Sequence, residues 1–304
     1  MTAPFRIGTR GSPLALVQAN MVRVGLIASH GWADEQVEIV PIKTTGDRVQ
    51  DRALAEIGGK ALWTKELDRA LLDRDIDCAV HSMKDVETIR PTSIRIAAML
   101  PRADVRDRLI GAESVTALAK AARVGTSSPR RAAQLLYLRP DLHILLFRGN
   151  VATRLAKLEA GEADATLLAA AGLDRLGQSN IGHAIDDLLP APAQGAVGIE
   201  VRADDKDACR MVDAIDHKPT WRCVMAERAL LAALGADCHS PVAALAQIED
   251  DLLTIRAELL AEDGSDHVTG DIVSDGDDDG AAEALARDLL GRAPPAVAKL
   301  FAGP

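Results

Sequence analysis

The 304-residue chain is 48% hydrophobic, 26% charged and only 2% aromatic, which suits a globular protein of two domains, or three small ones, with a core of Leu, Val, Ile and Ala. It has no apolar run near the roughly 20 residues that span a bilayer, no signal-like pattern in MTAPFRIGTRGSPLAL and no CxxC pair among four cysteines, so a cytoplasmic protein is expected and a disulfide-stapled domain or zinc ribbon is not. The net charge of −10 falls wholly within residues 238–304, where four basic side chains meet fourteen acidic ones; this marks off a carboxy-terminal unit and speaks against nucleic acid as a partner, but leaves room for a small anion held by a few arginines.

Along the chain, short apolar segments alternate with amphipathic helices, as an α/β fold requires. Residues 5–9 read as a strand, and Ser12 followed by Pro13 opens a helix with Ser as cap and Pro at the first helical position. After a strand at 37–41, KTTGDRVQDRALAEIGGK reads as a long loop acting as a lid. A helix at 62–73 and a strand at 76–80 lead to HSMKD. A second unit starts near Pro101. It holds a strand at 123–126, a helix opened by Ser128-Pro129, a strand at 143–147, a helix capped by Asn150 and ended by Gly161, and a strand at 165–169 running into a Gly-containing segment at 171–177.

IGTRGSPLALVQ (7–18) and VGTSSPRRAAQL (124–135) share strand, Gly-Thr, Ser-Pro and helix in one order. Two similar α/β domains are therefore expected, each presenting a helix N-terminus at the carboxyl ends of its strands, where ligands of open α/β sheets bind. Residues 194–201 read as a strand returning to the first domain. The expected domains are 1–100 plus about 195–218, then 101–194, then a small α+β domain at 219–304. The last has a helix after Thr220, strands at 242–247, 252–258 and 267–273, and a helix at 281–290.

Arginines recur at the inferred strand tips: Arg10, Arg130, Arg131, Arg148 and Arg154, with Arg175 in a later loop. Helix N-termini already favour anions, and a guanidinium fork adds bidentate recognition of carboxylate or phosphate. Each arginine alone is equally well a surface residue; five or more together point to a polyanionic ligand. In HSMKD, Lys84 suits anion binding, and Asp85 suits general acid/base work or stabilisation of a cation, against the plainer reading of a capping Asp beside a surface Lys. No Gly-x-Ser-x-Gly elbow supports a serine hydrolase. Cys78 and Cys223 read as packing residues, whereas Cys238, in the turn LGADCHSPVAAL, is the candidate for reactivity, with Asp237 beside it disfavouring the thiolate. DGDDDG at 275–280 lacks the twelfth-position Glu of an EF-hand, and Lys60 in GGK lacks the rest of a phosphate loop, so no metal site is expected.

Taken in order, IGTRGSPLAL, GGKALWTKEL, AVHSMKD, GTSSPRR, RGNVATRL, AAAGLDRLG and PAQGAVGIE resemble the hydroxymethylbilane synthase (porphobilinogen deaminase) family, from about Phe5 to Pro241. The resemblance implies two periplasmic-binding-protein-like (type II) α/β domains flanking a cleft, plus a small α+β domain. It implies a dipyrromethane cofactor held by a thioether to Cys238. Four porphobilinogen units would be joined on that primer, each losing ammonia to give an electrophilic methylene-pyrrolenine, and water would release the linear tetrapyrrole of heme biosynthesis. Asp85 would be the catalytic carboxylate. Arg10, Lys84, Arg130, Arg131, Arg148, Arg154 and Arg175 would bind the acidic side chains of cofactor and growing pyrrole chain, with Ser12, Ser82, Thr126, Ser127 and Ser128 adding hydrogen bonds. Asp47–Lys60 would match the family's lid, and a monomer would fit. Two other readings stand beside this one: a carboxylate-binding receptor without catalysis, and a Schiff-base enzyme using Lys60 or Lys84.

Overall fold

Two residues after β1 (Phe5–Arg10), Ser12 opens the Pro13–His30 helix. Its Oγ accepts the Ala15 amide at 3.3 Å, Pro13 stands where no N–H is needed, and Gly31 ends the helix in the left-handed conformation at φ 63°. In this computed structural model, which describes residues 4–43, 64–275 and 280–301, the same device recurs further on. Ser128 Oγ accepts the Arg131 amide at 3.4 Å and starts the Pro129–Leu138 helix. Asn150 Oδ1 accepts the Thr153 amide at 2.9 Å and starts the Val151–Glu159 helix. The expected lid, with Lys60, and most of the acidic segment 275–280 lie outside the described residues.

Two five-stranded sheets follow one plan. In the first, β1 lies parallel between β2 (Val37–Ile42) and β3 (Cys78–Ser82), while β10 (Val197–Arg202) runs antiparallel between β3 and β4 (Ile94–Met99). In the second, β6 (Arg123–Thr126) lies parallel between β7 (His143–Leu146) and β8 (Ala165–Ala169). There β5 (Asp107–Ile110) runs antiparallel between β8 and β9 (His183–Ile185). The antiparallel strand of each sheet is the first that the chain lays down on arriving from the other. This shared order is the arrangement of type II periplasmic-binding-protein domains. Residues 194–195 lie in a turn, with Gly195 at φ 85°, and the returning strand starts only at Val197.

The third sheet is an antiparallel meander of β11 (Val242–Glu249), β12 (Leu252–Leu260) and β13 (His267–Ser274). Asp250 and Asp251, both with positive φ, make its two-residue hairpin turn. The Lys218–Leu234 and Ala281–Arg292 helices cover it, Leu230, Leu234, Leu285 and Leu289 sharing a core with Ile255 and Leu259.

Residues 1–103 with 195–221 form one compact unit, and 104–194 with 222–304 another, so the third sheet shares a unit with the second. Glu227 ties them. At 0% exposure, one of its carboxylate oxygens accepts the Ala193 amide at 2.5 Å and the other the Ala246 amide of β11 at 2.7 Å. Among the described residues, no helix is long and apolar enough to cross a membrane.

Candidate active site

In the first unit, β3 ends at Ser82 and the chain makes a single 3-10 turn over Met83–Asp85. The turn brings Asp85 into a pocket lined by Arg10, Ser12, Gln18, His81 and Ser82, beside the capped N-terminus of the first helix. Gln18, buried on that helix, donates from Nε2 to Ser82 Oγ at 2.8 Å and so fixes the strand tip to the helix. Lys84 stands half-buried in the same turn. Gly198 of β10 pairs with His81, and a Cβ there would overlap Met83 Sδ, so the returning strand must be bare at this place. Among the described residues, the Asp85 carboxylate has neither a hydrogen-bond nor an ion-pair partner. It is a half-buried acceptor facing a pocket, with its lone pairs available to a ligand.

Behind the pocket lies a charged cluster that motif reading passed over. His81 Nε2 is 3.2 Å from Glu200 Oε2, at an angle that makes no hydrogen bond. Glu200 is fully buried and accepts from Arg90 Nε at 2.8 Å and Nη2 at 2.9 Å, while Arg90 also pairs with Asp68 and Glu87, each at 2.5 Å. Burial pushes the Glu200 carboxyl up, but His81 and Arg90 outweigh it and hold the group at about 2. The available signal was a lone acid inside the apolar run QGAVGIEV. Buried charges of this kind are kept only when paired.

In the second unit, hydrogen bonds link most of the expected polar residues at the tips of β6 and β7. The Ser128 amide donates to Thr126 Oγ1 at 3.1 Å, Arg154 Nη2 to Ser127 Oγ at 3.0 Å, and Arg154 Nε to Gly149 O at 3.0 Å. Arg148, next to Gly149, has a buried Nη1 without a partner among the described residues. Arg130 and Arg131 are 3% and 5% exposed and converge on Asp107. Arg131 commits Nε and Nη2 to that carboxylate and Nη1 to Leu167 O, so its visible task is structural. Arg130 bonds Gln134 and Leu189 O, and its buried Nε has no partner among the described residues. Arg175 ends the Ala170–Arg175 helix, where burial lowers its affinity for a proton. Orphaned, buried guanidinium N–H groups are donors awaiting an anion, and this donor set fits a cofactor bearing several carboxylates.

Cys238 is reduced and exposed, in the turn between the Lys218–Leu234 helix and β11. Cys78 and Cys223 are buried, and burial pushes the Cys78 thiol well up. An exposed thiol fits a thioether link; the buried pair does not.

A fold of this class takes ligands at strand tips and helix N-termini, and here those places carry cationic forks and hydroxyls suited to a ligand rich in carboxylates. A family model described as porphobilinogen deaminase, dipyrromethane cofactor binding domain, matches residues 5–210, and one for the porphobilinogen deaminase C-terminal domain matches 221–290. The porphobilinogen deaminase of Sphingopyxis alaskensis is 59% identical over 98% of this chain and 97% of its own length; that of Paracoccus denitrificans is 50% identical over 96% and 95%. Among solved structures, immunogenic lipoprotein A from Vibrio vulnificus is 14% identical over 71% of this chain and 96% of that one, with a TM-score of 0.43, too distant to add to the sheet order. The chain belongs to the porphobilinogen deaminase family. Its activity is that of a hydroxymethylbilane synthase, a transferase of tetrapyrrole and heme biosynthesis, and residues 5–210 are its dipyrromethane-binding part.

Proposed function

We propose that Asp85 is the catalytic carboxylate for the deaminating condensation of four porphobilinogen units, and that Cys238 carries the dipyrromethane. The observation that carries this reading is the uncommitted Asp85 carboxylate in the pocket with Arg10 and Ser12. A pyrrole that loses ammonia becomes cationic, and its N–H donors need a fixed acceptor. Asp85 supplies that acceptor already in place, so little reorganisation is needed as the charge develops, which is where electrostatic catalysis gains most. Met83 and Gly198 hold the turn, and the Gln18–Ser82 bond holds the strand tip from which Asp85 projects.

Arg10, Ser12, Ser82 and Lys84 take the substrate's carboxylates in the first unit. In the second, Thr126, Ser127, Ser128, Arg148 and Arg154 hold the cofactor's, with Arg130 contributing its remaining donors, Arg131 keeping Asp107 in place and Arg175 adding a buried cation. Each hydrogen bond to a charged group contributes about 1.5–3 kcal/mol. When bound, the dipyrromethane supplies the nucleophilic α-carbon that the protein's own side chains lack.

The parts that share this work are residues 1–100 plus about 195–218, residues 101–194, and residues 219–304. The protein works as a cytoplasmic monomer on porphobilinogen and the growing linear pyrrole chain, without nucleic acid or membrane. Intact mass before and after porphobilinogen is added tests the reading. A fixed increment on the Cys238 peptide with a ladder of pyrrole additions is expected. Binding with neither increment nor ammonia release would instead support a carboxylate receptor.

A further inference from the structure

The turn that carries Cys238 contains a second chemical group that the reading above does not use. By sequence, Asp237 should disfavour a thiolate beside it. The turn is arranged differently. Asp237 Oδ1 accepts the His239 amide at 2.9 Å and lies 3.4 Å from His239 Nδ1, and Cys238 Sγ lies 3.5 Å from that same nitrogen. Ser240 closes the turn, accepting the Asp237 amide on Oγ at 3.1 Å and donating its own amide to Asp237 O at 3.0 Å.

We propose that His239 is the proton partner of Cys238, taking the thiol proton on Nδ1 so that the sulfur attacks as a thiolate when the cofactor thioether is made. The inference rests on Cys238 being the attachment residue. Asp237 and then Cys238 favour the charged ring, and against the opposing pull of burial they raise His239 to about 10. A charged ring beside the sulfur favours the thiolate, and Nδ1 at 3.5 Å stands where it can take the thiol proton as the sulfur attacks. Activation of a cysteine by a neighbouring histidine follows the same physics in other nucleophilic sites. Asp237 acts on the sulfur with the opposite sign, but its near oxygen is held by the His239 amide and ring. These two are the ionisable groups that act most strongly on His239.

The step balances without an added reactant. The sulfur forms its bond to the aminomethyl carbon of a porphobilinogen, and the C–N bond breaks with its electron pair leaving on nitrogen. Thiol and aminomethyl-ammonium are consumed; thioether and ammonium ion are made, the thiol proton having passed through His239.

The test uses the full chain produced without porphobilinogen and kept in EDTA, so that Cys238 is unmodified and no stray ion covers it. Alkylation by iodoacetamide, read by mass at the Cys238 peptide, is followed across pH. The unsubstituted protein is expected to react rapidly at neutral pH. In His239→Gln the neutral rate should fall about tenfold and the rise should move toward the ordinary thiol range near 8.5. Overlaid profiles for the two proteins would overturn the inference. A second readout is the imidazole titration of His239 by NMR, which should move down in Cys238→Ser because coupling between two sites is reciprocal; an unmoved titration would count equally against it. Adding porphobilinogen to His239→Gln separates the two claims. A slow adduct on Cys238 keeps the attachment residue and supports the role of His239, an adduct formed there at the unsubstituted rate removes that role alone, and an adduct on another residue removes both.

Discussion

Arg131 meets Asp107 at two points inside the second sheet, Nη2 to Oδ1 at 2.7 Å and Nε to Oδ2 at 3.1 Å. Asp107 also accepts Gln194 Nε2 at 2.8 Å and lies 2.9 Å from Arg130 Nη1, so one buried carboxylate organises both arginines that follow Ser128 and the residue at which the chain leaves the unit. The expected anion-binding pair RR is thus divided between building the site and serving it.

Burial pushes the Asp107 carboxyl up, but Arg130 and Arg131 outweigh burial and hold it well below the ordinary range. A lowered folded value stabilises the protein above the unfolded value of about 3.9, and the contribution is lost as pH falls below it. Asp107→Asn should therefore lose about 3–5 kcal/mol at pH 7, because two guanidinium groups are left buried without their anion. It should also show a shallower acid limb. Urea unfolding of both proteins at a series of pH values measures each effect.

Asp85→Ala should fold like the unsubstituted protein, since among the described residues the carboxylate has no partner to lose. Its rate of ammonia release from porphobilinogen should fall by at least about 10²-fold, the scale of losing one preorganised electrostatic group. Substantial turnover by this variant would move the catalytic role elsewhere.

Cys238→Ala removes an exposed side chain, so its melting temperature should stay within about 1–2 °C of the parent value. Its intact mass should show no fixed increment after exposure to porphobilinogen.

Glu227→Ala should leave the Ala193 and Ala246 amides without acceptors. A loss of about 1–3 kcal/mol per amide is expected. Hydrogen exchange should accelerate at those two amides and along β11, while exchange in the first sheet stays as it was.

Local chemistry made much of this fold legible. Ser12-Pro13, Ser128-Pro129 and Asn150 state helix starts by a mechanism that needs no tertiary context, and the structure uses all three. β5 and β9 escaped because they are short and lie beside charged residues, and β4 because it follows Pro91 closely and carries Arg95; all three are defined by pairing with distant strands. The HSMKD and RGN motifs pointed to polar chemistry, but motif reading could not show that Arg131 faces Asp107 or that Glu200 lies behind His81. Those partners are 24 and 119 residues away, and only the sheet order makes them neighbours.

The late return of β10 to the first α/β sheet has a consequence for biosynthesis. A nascent chain that has emerged only as far as residue 190 has made β3 and β4 but not β10, which must lie between them. Both therefore present unpaired backbone edges until the second sheet has been translated, and such edges invite pairing with other chains. Ribosomal pausing before Val197 would lengthen that vulnerable interval, and a truncation there would remove the strand that carries Glu200 and supports the Met83–Asp85 turn.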